Sequence, residues 1–284
     1  MVTNVPRLNV WPPVLVAGAP RSGVGMLAQL LGTPIEPESE LCAINETVLA
    51  HSGAAWDVPV ALAPGWDLHP ALLPMRMRAS AHLQLRHGAG RGIMADIRLA
   101  LTLPFWRRMI PSAITLICVR SPLDVLRSLS ARRAASPQLI WQLWVSFYSS
   151  LLANTTPERR VVTHYDTLFY CPHDELERVL HHVGIPPHAH VLAAVQGQLD
   201  MRQRRHWTTA AELYSADVPA AVHQLYAALC AEAGPFYQHT LQRDLLADTS
   251  IPPVLGPTQR DHRAVELELT DLIARLRAEL ETMP

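Results

Sequence analysis

Val14-Leu15-Val16-Ala17-Gly18-Ala19-Pro20-Arg21-Ser22-Gly23-Val24-Gly25-Met26-Leu27-Ala28-Gln29-Leu30-Leu31 decides how the rest of the chain is read. The apolar run ending at Gly18 has the length and composition of a buried strand. A glycine-rich turn follows, and Met26 to Leu31 has helical character up to Gly32. The order is strand, tight loop, helix. A loop of this kind faces the first backbone N–H groups of its helix, which lack intrahelical partners and sit at the positive end of the dipole. Glycine lets that backbone approach an anion closely. Arg21 adds a charged fork and Ser22 a hydroxyl. The same residues also suit a plain connecting turn. They do not make an ATPase loop, which needs Gly-Lys-Ser/Thr where this chain has Gly23-Val24-Gly25.

Outward from this unit, strands and helices alternate. Gly92 to Ala95, Ala113 to Val119 and Arg160 to His164 read as further strands. Helices are expected over 41–52, 71–87, 103–109, 122 to about 134 and 138–154. Pro59 to Pro70 is rich in proline and glycine and reads as irregular. Alternation of this kind predicts an α/β fold: a three-layer sandwich with a central parallel sheet and a P-loop-like phosphate-binding loop. The segment after Asp200 is expected to be mostly helical. Residues 1–240 are read as the α/β domain. Residues 241–284 are read as a linker and an amphipathic helix, packed on the domain or on a second copy in a homodimer.

Composition narrows the function. The chain has 284 residues, 49% of them hydrophobic and 17% charged, with a formal net charge of −1. That is ordinary for a globular enzyme and gives no bulk electrostatic reason to bind nucleic acid. All 24 basic residues are arginine, so a basic side chain that holds phosphate or sulfate must be an arginine fork or a histidine. No stretch is long and apolar enough to span a bilayer, and no secretory signal pattern opens the chain. The four cysteines form no CxxC pair. Together these lead us to expect a cytoplasmic protein. His181, His182, His188 and His190 cluster around a helix end, where histidine suits the dipole better than a metal explains it. Trp141, Trp144, Phe147 and Tyr148 on one helix read as core.

A second anion motif begins where the clearest strand ends. In Val119-Arg120-Ser121-Pro122-Leu123-Asp124-Val125-Leu126-Arg127-Ser128, Arg120 falls at the carboxyl end of the strand, where parallel sheets bind ligands. Ser128 lies about two helical turns further on and can face the same anion. An Arg120–Asp124 ion pair with Ser128 in packing is the other reading.

Together the two motifs resemble the PAPS-dependent sulfotransferase family, in its bacterial branch. PAPS is 3′-phosphoadenosine 5′-phosphosulfate. The first motif resembles that family's 5′-phosphosulfate loop and the second its 3′-phosphate motif. Asn45-Glu46 through Trp56-Asp57, Asp96 to Trp106, Thr163 to Leu168 and Met201 to His206 extend the likeness over residues 12 to about 207. The resemblance implies that Arg21, Ser22, Gly23, Val24 and Gly25 hold the 5′-phosphosulfate and that Arg120 and Ser128 hold the 3′-phosphate. It further implies that Tyr165 meets the adenine, that Arg204 or Arg205 reaches the 3′-phosphate, and that no metal is required. The activity it implies is transfer of a sulfuryl group to a hydroxyl of a small molecule (a natural product, phenol or lipid) or a carbohydrate, with 3′-phosphoadenosine 5′-phosphate (PAP) as product. Arg21 suits charge neutralisation. The general base is sought among Glu38, Glu40, Glu46 and His51, with Glu40 first and Glu38 next.

The chain departs from the family pattern at two places. Val24 replaces a threonine, which removes a hydroxyl worth about 1.5–3 kcal/mol to a charged group. Ala95 replaces a lysine before Asp96-Ile97-Arg98, where Arg98 remains. A catalytically impaired PAP-binding protein, a P-loop kinase and an interaction module are the competing readings.

Overall fold

A computed structural model describes residues 13–33, 39–58, 62–88, 92–131, 135–186, 199, 204, 206, 208 and 210–234. The expected C-terminal helix, and with it the boundary at 240, lies outside the described residues.

Among the described residues four strands build one sheet: β1 (Val14–Ala17), β2 (Ile93–Ala95), β3 (Ile114–Val119) and β4 (Arg160–His164). They pair in the order β2-β1-β3-β4, all parallel. The helices are α1 (Val24–Leu30), α2 (Glu40–His51), α3 (Leu73–Gly88), α4 (Leu99–Met109), α5 (Pro122–Ser130), α6 (Pro137–Ala153), α7 (Thr167–Tyr170), α8 (Pro172–His182), α9 (Ala210–Ser215) and α10 (Ala220–Glu232).

The strand sequences are continuously apolar because both faces are covered. Successive residues point to opposite faces. Leu15, Ala17, Ile117, Val119 and Val162 pack in one layer with α2, α4, α5, α6 and α10. Val14, Val16, Leu116, Cys118 and Val161 pack in the other with α1 and α8. The polar strand residues follow the same alternation. Thr163 donates to Glu175 of α8 at 2.6 Å, while His164 meets the Tyr226 hydroxyl of α10 at 3.0 Å.

α4 contains Pro104 and nevertheless continues through it. Proline has no N–H to bond the carbonyl four residues back. That carbonyl belongs to Ala100, and the Ser150 hydroxyl of α6 donates to it at 2.6 Å. A side chain from a neighbouring helix thus replaces the missing backbone bond. This is also why α4 begins at Leu99, earlier than the expected 103: Asp96 accepts the backbone N–H of Arg98 at 2.8 Å and opens the helix there.

The connection from β1 to β2 runs to one side and the path from β3 to β4 to the other. β1 and β3 are neighbours, with Val14 opposite Ile114 and Ala17 opposite Ile117. A crevice opens between the carboxyl ends of such a pair, and it is the standard ligand position in an open parallel sheet. The loop after β1 and the loop after β3 both emerge there.

Candidate anion-binding site

The loop after β1 is clamped to β3. The Cys118 thiol donates to the Ser22 carbonyl at 3.2 Å, and the Tyr148 hydroxyl donates to the Cys118 carbonyl at 2.8 Å. Burial pushes the Cys118 thiol up to about 12, so it stays protonated and remains a donor. A Cβ on Gly18 would stand 2.5 Å from the Cys118 carbonyl oxygen. A Cβ on Gly23 would stand 2.3 Å from the Tyr165 ring, and Gly23 has φ of 105°. Both glycines are required by close approach, and the second also by backbone conformation. Arg21 has φ of 67°, a left-handed position that side chains seldom take. Its carbonyl accepts from Arg120 at 3.3 Å, so the second motif holds the first in this conformation.

Arg120 is 5% exposed and organises the crevice. Besides Arg21, it donates to the carbonyl of His206 at 3.0 Å and stands 3.6 Å from Asp124. Its guanidinium lies 4.3 Å from the centre of the Tyr165 ring. Tyr165 is thus wedged between Arg120 and Gly23. The Nε of Arg21 donates to the Ser128 hydroxyl at 2.9 Å. A cavity of about 450 Å³ opens beside these groups, lined by Arg21, Arg120, Tyr165, Val24, Trp56 and Ile97 among others. α1 has seven residues, so its dipole is short, and the two guanidiniums dominate the positive potential. The Val24 side chain lies mostly in the core under the loop, 2% exposed.

Arg204, His206 and Thr208 each bond to groups at this crevice. Arg204 bonds Asp166 at 3.1 and 2.9 Å and the Tyr170 hydroxyl at 2.6 Å. His206 offers its carbonyl to Arg120, and Thr208 donates to Asp124 at 2.6 Å. Arg127 donates to Thr208 at 3.2 Å. Burial pushes the Asp166 carboxyl up to about 6, against the opposing pull of Arg204. Arg204, expected at the 3′-phosphate, is paired with Asp166 in this arrangement. Arg205 lies outside the described residues.

A buried polar network adjoins the site through Ile97. Asn45 is fully buried, accepts from Thr102 at 2.8 Å and from Trp106 at 2.7 Å, and donates to Asp96 at 3.3 Å. Arg98 pairs with Asp96 at 3.2 Å and with Glu46 at 2.5 Å. This network escaped the reading of the sequence. Its members come from α2 and the start of α4, and only the pairing of those elements unites them. The Asp96-Ile97-Arg98 segment, with its adjacent opposite charges, was the available signal.

Of the base candidates, Glu40 does not line the cavity. The Arg78 fork grips it at 2.8 and 2.7 Å and holds its carboxyl below the ordinary range. Glu46 is taken by Arg98. His51 is exposed, with its ring 5.5 Å from that of His69 and tilted to it. Glu38 lies outside the described residues, as do His188 and His190. His182 bonds the Arg178 carbonyl at 2.8 Å, a helix-end contact. Trp141, Trp144, Phe147 and Tyr148 are buried. Among the described residues no group of three or more His, Cys, Asp or Glu side chains could hold a metal.

No family model and no curated protein matches this chain. Among solved structures it is similar to the sulfotransferase domain of the Synechococcus PCC 7002 olefin synthase. That likeness has 17% identity, a TM-score of 0.49, and covers 77% of this chain and 92% of that domain. It is also similar to the sulfotransferase domain from the curacin biosynthetic pathway. There the identity is 13%, the TM-score 0.45, and the coverage 79% of this chain and 98% of that one.

Proposed function

We propose that this chain is a sulfotransferase that takes a sulfuryl group from PAPS and places it on a hydroxyl of a small-molecule or carbohydrate acceptor. The observation that carries this reading is the convergence of Arg21, Arg120 and Ser128 on one crevice. Two cationic forks and a hydroxyl there suit a ligand that bears two separate anionic groups. The close backbone approach of Gly18 to Cys118 and of Gly23 to Tyr165 presses the loop against β3 and the aromatic ring, which fixes its shape. Tyr165 offers an aromatic wall of the kind an adenine requires.

The chemistry asks little covalent work of the protein. The acceptor oxygen bonds to sulfur while the bond from sulfur to the bridging phosphate oxygen breaks, and PAP departs with that electron pair. Arg21 and the loop N–H groups offset charge on the transferred group and the leaving phosphate, and Arg120 anchors the nucleotide for in-line attack. The acceptor's proton goes to a base, for which Glu38 is the remaining proposal from the loop before α2.

Calorimetric titration with PAP, beside ATP and an Arg120→Ala control, tests the assignment. Micromolar PAP binding that the substitution abolishes supports it, and absence of PAP binding by the folded protein removes it. A PAP-binding protein without turnover is the second reading. The buried Val24 side chain and the engagement of Glu40 by Arg78 favour it. Transfer of radiolabelled sulfate from PAPS to a panel of phenols and sugars separates the two.

A further inference from the structure

A larger cavity, of about 710 Å³, lies between α4, α6 and residues 62–67, and shares no lining residue with the anion crevice. Its size falls in the range of small-molecule sites, roughly 300–1,000 Å³. α4 leads from one to the other: Ile97, just before the helix, lines the crevice, while Leu101, Pro104 and Arg107 line the larger cavity. At about 1.5 Å per residue, Arg107 stands roughly 15 Å along from Ile97.

The walls are of two kinds. Leu49, Leu62, Trp66, Leu101 and Pro104 supply an apolar surface. Ser146 of α6 also lines the cavity, is 3% exposed, and its hydroxyl finds no hydrogen-bond partner among the described residues. A buried hydroxyl without a partner is destabilising, and a bound hydrogen-bond acceptor would remove that cost. The two arginines of the cavity differ. Arg108 is neutralised by Asp67 at 2.7 Å. Arg107 donates instead to the neutral carbonyl of Asn154 at 2.7 Å, and among the described residues no carboxylate pairs with it.

We infer that this cavity is a second ligand site, separate from the nucleotide crevice, for a small amphiphile with an apolar body and a carboxylate. The carboxylate meets Arg107, an oxygen takes the Ser146 proton, and the body covers the leucine and tryptophan surface. The inference does not depend on sulfuryl transfer.

Decanoate and decyltrimethylammonium, which share a tail and differ in charge, test it by calorimetry on the full chain. The expected result is saturable binding of one decanoate per chain and no saturable binding of the cation. Arg107→Gln then weakens decanoate by on the order of tenfold or more, the loss of a charge-assisted contact, and leaves PAP binding unchanged. Ser146→Leu fills the cavity and abolishes decanoate binding. If that variant fails to fold, Arg107→Gln decides alone, because its side chain is partly exposed. Lack of decanoate binding by the folded wild type overturns the proposal. So does equal binding of the cation, or decanoate affinity indifferent to Arg107→Gln.

Discussion

Arg21 and Ser128, 107 residues apart, are joined by a hydrogen bond of 2.9 Å from the arginine Nε to the serine hydroxyl. The family resemblance implies that they meet opposite ends of a nucleotide, and the fold brings their side chains into contact. Ser128 sits on the buried face of α5, so it is the fixed partner and Arg21 the reaching one. Ser128→Ala and Arg21→Ala are each expected to weaken PAP by about tenfold. Because each removes the same contact, the double variant should fall short of the product of the single losses. Calorimetric titration of all four proteins checks this, and full additivity would show that the contact plays no part in binding.

Gly23→Ala should be damaging out of proportion to one methyl. The new Cβ would meet the Tyr165 ring at 2.3 Å on a backbone with φ of 105°. Strain and overlap together suggest a loss of roughly 2–3 kcal/mol, seen as a melting point lower by roughly 3–5 °C. Gly32→Ala shares the positive φ, but its Cβ meets nothing within 4 Å. It should cost less, and the difference between the two melts isolates the overlap.

Asp166 carries a pH signature. Burial raises it to about 6 from the ordinary 3.8. Between those values the folded chain holds a proton that the unfolded chain has lost, so this residue's contribution to stability falls as pH rises through the window. The expected loss is on the order of 2–3 kcal/mol. Urea denaturation from about pH 4 to about pH 6 should show wild type losing this amount relative to Asp166→Asn. Parallel pH profiles for the two proteins would refute it.

Pro104 and Ser150 should behave as a unit. Ser150→Ala strands the Ala100 carbonyl and should cost about 1–2 kcal/mol. With Pro104→Ala in place, a backbone N–H becomes available for that carbonyl, and Ser150→Ala should then be nearly neutral. Thermal melts of the single and double variants measure the coupling.

Much of the scaffold was legible because strands buried on both faces are written as unbroken apolar runs. β1, β3 and β4 fall within a residue of their expected places. α4 was read too short, since Pro104 argues locally against a helix and only Ser150, from another element, permits it. The two anion motifs were legible as strand ends followed by helix starts. Their mutual arrangement was not: the positive φ of Arg21 depends on Arg120, and no local pattern announces it. The engagement of Glu40 by Arg78 was hidden for a related reason. Its ion pair with Arg78 bridges 38 residues, and a start-of-helix carboxylate reads the same with or without such a partner.

The pairing of β1 with β3 has a consequence for how the site comes into being. Each strand delivers one motif, and the strands belong to regions a hundred residues apart that meet only when the sheet assembles. No fragment holding one strand alone carries half a pocket, because Arg120 sets the conformation of Arg21 and Cys118 pins the loop. Occupancy is therefore a late and cooperative event, coupled to closure of a long-range seam. A nucleotide that fills the crevice would act as a rivet through that seam. It would protect the amides of β1 and β3 from solvent exchange together, and it would draw separately made halves of the chain into one body.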